Sequence, residues 1–196
     1  MKNDRPREVG LGDLGQLTLR GNVAFAVRCA LRVRPWFKLP ADAASRREHM
    51  EAIDSAIEVA VAYCQREPEE AGRAASAAQR AAVVAGKTCE VTRFAGYAAA
   101  RAAEAAAHAE EFVRNKDDSS VMEVVAAAFG AGRVLAANAD YDTRDLVVAA
   151  LVADAEKLRS LAHDTCLDLG PPVDPSENGP LGPLWPDGAP PWFVGE

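Results

Sequence analysis

Three histidines, His49, His108 and His163, and four cysteines, Cys29, Cys64, Cys89 and Cys166, carry most of the side-chain chemistry available to this chain. Carboxylate-bridged di-iron bundles require paired Glu-x-x-His motifs. The residues three before these histidines are Arg46, Ala105 and Ser160, so that motif is absent. Glu104, His108 and Glu111 stand at i, i+4 and i+7 and share one helix face. Two carboxylates and an imidazole make half a metal site, complete only if another helix adds donors; the same spacing also describes an exposed helix with charge pairs along it. No cofactor is called for by any spacing.

The sequence His163-Asp164-Thr165-Cys166 places a thiol near an imidazole, but a nucleophile needs its base beside it in space. The cysteines are widely spread and form no CxxC, which reads as reduced thiols used as small apolar side chains. Ser119-Ser120 suits a helix cap better than a nucleophile. Asp140, Asp142 and Asp145 suit a cap and a helix dipole, because no calcium-loop spacing follows. Gly130-Ala131-Gly132 lacks the preceding strand of a phosphate loop and reads as a place where helices approach closely. No catalytic set emerges, and the chain is expected not to be an enzyme.

The elements that carry these residues are helical. Alanine supplies about a fifth of the chain and is the strongest helix former. A first helix is expected from Asp13 or Leu14 to Arg34, with Gly21 as its weak point and Pro35 ending it. A second starts near Ala43, with Asp42 or Ser45 as its cap, and carries the stripe Met50, Ile53, Ile57, Ala60, Val61 and Cys64. Residues 69–85 and 90–114 read as two alanine-rich helices broken near Gly86-Lys87-Thr88, or as one continuous helix. Their alanine faces let helix axes come close, which puts this segment in the middle of the domain. A further helix runs from the serines at 119–120 to about Ala139. The last, about 143–163, is apolar nearly all round from Leu146 to Val152, which predicts an enclosed position. No stretch shows sustained strand alternation. The fold class is therefore all-α: an antiparallel bundle of five to six helices with an extended Pro/Trp-rich C-terminal segment.

Composition shifts sharply toward the end of the chain. Eight of the 12 prolines follow Leu169, as do Trp185 and Trp192. From His163 onward there are six acidic groups and no lysine or arginine. The domain plan is a flexible N-terminus at 1–12, the bundle at 13–163, and an acidic Pro/Gly/Trp-rich tail at 164–196. Residues 1–38 are basic by about five charges, and Arg20, Arg28 and Arg32 lie at multiples of four on one helix face. The expectation is that the tail wraps back, with its acids near the Arg20/Arg28/Arg32 face and Trp185 and Trp192 in grooves between helices. A tail free to bind a partner, a plain linker, and a solvated basic stripe are the alternatives.

The net charge of −7 argues against nucleic acid as partner, since phosphate binding needs a basic surface. No apolar run is expected to reach the roughly 20 residues of a membrane span; the longest candidate, Leu146 to Ala153, is too short. No secretion signal is read at the N-terminus, and with reduced cysteines a cytoplasmic location is the expectation.

The run Val-Ala-Phe-Ala-Val-Arg-Cys-Ala-Leu-Arg-Val-Arg-Pro-Trp-Phe (23–37) is followed by an amphipathic helix around His49–Tyr63. Next come the segments RAASAAQRAAVVAG and AAARAAEAAAHAEEF. Over roughly residues 20–115 this order resembles the alanine-rich, all-helical immunity proteins of bacterial polymorphic toxin systems. The resemblance implies stoichiometric binding to a toxin partner without catalysis, and it carries no site residues. The functional expectation is a non-catalytic, cytoplasmic protein-binding module whose acidic surface suits a basic protein. The alternatives are a metal- or small-ligand-binding bundle built on Glu104, His108 and Glu111, and a homo-oligomeric helical scaffold.

Overall fold

A computed structural model describes residues 8–43, 45–66, 71–85, 90–139, 143–161, 167–191 and 193. The chain is all-helical. Its α-helices are α1 (Leu11–Leu14), α2 (Leu19–Val33), α3 (Arg46–Gln65), α4 (Ala71–Ala85), α5 (Glu90–Asn115), α6 (Asp118–Asn138) and α7 (Arg144–Leu161). A 3₁₀ turn, Arg34–Trp36, follows α2. Among the described residues there is no strand.

The expected first helix is two. The break falls at Gly15-Gln16-Leu17, and α1 takes in two residues assigned above to the N-terminal segment. Thr18 starts α2: its hydroxyl accepts from the Gly21 N–H at 3.1 Å, satisfying one orphan donor of the first turn. Gly21 therefore lies in a capped first turn rather than in a weak helix middle. Asn22 secures the break, its amide nitrogen reaching the carbonyls of Leu14, Leu17 and Thr18 at 3.1–3.2 Å.

Ser45 occupies the cap position of α3, but with φ 56° and no cap hydrogen bond from its hydroxyl. The cap of α6 is Asp117, not a serine: its carboxylate accepts from the N–H and the hydroxyl of Ser119, which holds the Asp117 pKa below its usual range. The expected break near Gly86-Lys87-Thr88 lies outside the described residues.

The alanine-rich segment is central, as its composition predicts. Helix α5 packs against α2, α3, α4 and α6, and Ala98, Ala99, Ala102, Ala103, Ala105, Ala106 and Ala109 are fully buried. At Gly96 a Cβ would stand 2.6 Å from the Cβ of Ala82, so the missing side chain sets how closely α5 meets α4. The bulky core residues Phe25, Phe37, Tyr63 and Leu135 fill the space that alanine leaves.

Helix α7 corrects two expectations. It meets only α2 and α6 among the helices in quantity, and Leu146, Ala149, Val152 and Ala153 are half-buried, so it is not the enclosed helix. The most membrane-like stretch is not its apolar run either. Asp118–Ala137 in α6 is the one described stretch long and apolar enough to cross a membrane by length and composition, and half of it is buried within the protein.

Candidate functional site

The polar centre of the molecule is the face of α2 that carries Arg20, Arg28 and Arg32. Spacing by four residues and eight residues puts all three on one side of the helix. Arg28 and Arg32 are fully buried, and Arg20 nearly so. A guanidinium out of water must be paired and hydrogen-bonded.

Asp154 of α7 supplies the pairing. Its Oδ1 accepts from Arg28 Nε at 2.8 Å and its Oδ2 from Arg32 Nη1 at 2.6 Å. One carboxylate thus bridges two cations and leaves one positive charge uncompensated.

The remaining donors go to backbone carbonyls of the C-terminal segment. Arg28 Nη1 donates to Pro175 at 3.2 Å and to Gly182 at 3.0 Å, and its Nη2 donates to Pro183 at 2.7 Å. Arg32 forks onto Leu184, with Nε at 2.9 Å and Nη2 at 2.6 Å. Its guanidinium carbon lies 5.4 Å from the Trp185 ring centroid, and Trp185 meets Phe193 edge-on at 5.6 Å. Arg20 Nη1 donates to Gly170 at 3.0 Å.

Chemistry explains why these two segments suit each other. Arginine has five donors and no acceptor, whereas proline contributes a carbonyl and no N–H. A proline-rich chain outside any helix or sheet therefore carries acceptors that its own backbone cannot satisfy. The same segment also serves helix ends. Leu19 and Arg20 N–H groups, orphans of the first turn of α2, donate to the Asp168 and Leu169 carbonyls at 3.0 Å each. Val173 N–H donates to Cys64 O, near the end of α3, at 2.9 Å. Lys157 Nζ reaches Leu181 O at 2.6 Å. At Gly170, with φ +78°, a Cβ would stand 2.3 Å from Thr18 Oγ1, so only glycine fits there. Leu181, Leu184 and Trp185 are buried with the core.

The sequence expectation had the tail's acids meeting the arginines. The structure gives two of them other roles. Asp174 accepts from Ser176 N–H at 2.9 Å, and hydrogen bonds from Ser176 hold its pKa below the usual carboxylate range. Glu177 accepts from Leu184 N–H at 3.3 Å. The residue that reasoning missed is Asp154, and its signal was present: it is the single acid inside an otherwise apolar stretch from Leu146 to Ala155. Trp192, named with Trp185, lies outside the described residues.

Among the described residues the half metal site gains no second half. Glu104 accepts from Arg101 Nη1 at 2.7 Å, and Glu111 stands 3.7 Å from His108 Nδ1. Among the described residues no group of three or more His, Cys, Asp or Glu is arranged to hold a metal ion. Cys29 and Cys64 are buried, and loss of solvent pushes both thiols up, Cys29 to about 12. Neither supplies a thiolate at neutral pH. The His163/Cys166 pair lies outside the described residues.

Comparison with family models, curated proteins and solved structures finds no match. The functional reading rests on the residues alone.

Proposed function

We propose that this chain is a non-catalytic, cytoplasmic protein-binding module that neutralises a basic partner stoichiometrically, in the manner of the immunity proteins that its helices resemble. In this reading the helices form an antiparallel bundle, and the Pro/Trp-rich C-terminal segment is a strap that completes it rather than the partner-binding element.

One observation carries the proposal. The buried polar centre holds three arginines and one aspartate. Taking those charges out of the net −7 leaves −9 on the rest of the chain. The surface is thus more acidic than the composition states, and an acidic surface speeds and selects encounter with a basic protein. The arginines, engaged with Asp154 and the carbonyls, are withdrawn from chemistry with a substrate.

The test is affinity capture of the tagged full-length chain from its native cell, followed by reconstitution with the purified captured protein. A basic protein bound one to one supports the proposal, provided that about 1 M salt releases it, since the screening length there is about 3 Å. Recovery of the chain alone, as a homo-oligomer, or with bound metal would overturn it.

A further inference from the structure

A second feature lies beside Phe25 of α2. A pocket of about 270 Å³ opens among the residues before α1, α1 itself, α2, α6 and α7. Cores normally leave few voids larger than a water molecule. Here the inner wall is apolar and well buried: Leu14, Phe25, Val148 and Leu151. On the α6 side the lining is small, at Gly132 and Ala136. A Cβ at Gly132 would stand 3.2 Å from the Phe25 ring, so the glycine keeps this wall thin.

The mouth is charged. Glu8 and Arg133 line it. Glu8 is held by Arg144, whose Nη2 lies 2.7 Å from its Oε1. The exposed Arg133 guanidinium lies 5.9 Å from the Phe129 ring centroid, and among the described residues no carboxylate is within ion-pair distance of it. Among the described residues the lining therefore carries one cation and one anion, and the anion is already engaged by Arg144. An arginine beside an apolar cavity suits a carboxylate, whose two oxygens match the guanidinium fork.

The geometry points to a binding site for a small amphiphilic carboxylate, its tail over Val148 and Leu151 between Val9, Phe129 and Ala136 and its head on Arg133. An apolar cavity of about 150 Å³ takes one benzene, so this volume admits an unbranched tail of about ten carbons. Such a site takes an anion, whereas the proposed protein partner is basic.

The experiment is isothermal titration of the full-length chain with decanoate and, in parallel, with 1-decanol. Decanoate is expected to bind saturably, one to one. Arg133→Gln removes an exposed charge outside the core. It should weaken decanoate about tenfold, the loss of one charge-assisted pair, and leave decanol within about twofold. Ala136→Leu fills the pocket and should abolish binding of both while leaving the melting temperature equal or higher. The absence of saturable decanoate binding overturns the proposal. So does equal decanoate affinity in the wild type and Arg133→Gln, a measurement that stands even if Ala136→Leu fails to fold.

Discussion

Two regions of this molecule are held together by opposite means. Between α4 and α5 the buried contacts are mostly alanine on alanine, and stability comes from close approach of backbones around Gly96 and Ala82. Between α2, α7 and the C-terminal segment the contacts are charged: two buried guanidiniums, one carboxylate and four carbonyl-bearing residues. The first region has many small, replaceable contributions. The second is an all-or-none arrangement, because removing one partner strands the others without water. The difference teaches where this fold is fragile: at its polar centre, not in its alanine core.

Deleting residues 170–196 should have the largest effect. It removes the carbonyls from Arg28 and Arg32 and takes the side chains of Leu181, Leu184 and Trp185 out of the core, each worth about 1.5–3 kcal/mol of burial. The sum approaches the whole stability of a typical domain, about 5–15 kcal/mol. Loss of the cooperative melting transition is the expected result; an unchanged melting curve would show that the segment holds nothing. Next comes Asp154→Ala, which leaves two buried guanidiniums without a carboxylate. Chemical denaturation should show a loss of about 3–5 kcal/mol.

In the alanine region, Gly96→Val should cost about 1–3 kcal/mol by overpacking against Ala82. A loss as large as that of Asp154→Ala would erase the contrast between the regions. On the surface, Glu51→Ala breaks only the exposed pair with Arg47 and should shift stability by less than about 0.5 kcal/mol.

The buried thiols sharpen the comparison from another side. Cys29 faces the polar centre, yet its burial outweighs the arginines nearby and raises its pKa to about 12. A raised thiol pKa means the folded state holds its proton where the unfolded chain releases it. The stability so conferred is full below the unfolded thiol's range and falls as pH climbs from there toward 12. Mass-spectrometric mapping after brief alkylation at pH 8 should find Cys29 and Cys64 unmodified in the native protein and modified after denaturation.

Helices were legible in the sequence because apolar period and alanine content act locally. The Met50 to Cys64 stripe and the central place of 90–114 follow from that. The break at Gly15-Gln16-Leu17 was less legible, because the Thr18 cap and the Asn22 side chain decide it together. The position of α7 was misread: an apolar circumference says a helix tolerates enclosure, not that neighbours exist on every side. At the candidate site, Arg20, Arg28 and Arg32 were visible as a face, and Trp185 as an anchor. Their partners were not, because a sequence displays side chains whereas most of these acceptors are backbone carbonyls. The pocket beside Phe25 depends on how four distant segments meet, which no local pattern records.

The central claim is that two guanidiniums of α2 are sealed from water by the C-terminal carbonyls. Solvent exchange of the arginine Nε–H groups, followed by ¹⁵N NMR on the full-length chain, tests it most directly. The account predicts slowly exchanging Nε–H signals for Arg28 and Arg32, set far apart from the exposed Arg47. Exchange of Arg28 and Arg32 as fast as that of Arg47 would contradict it.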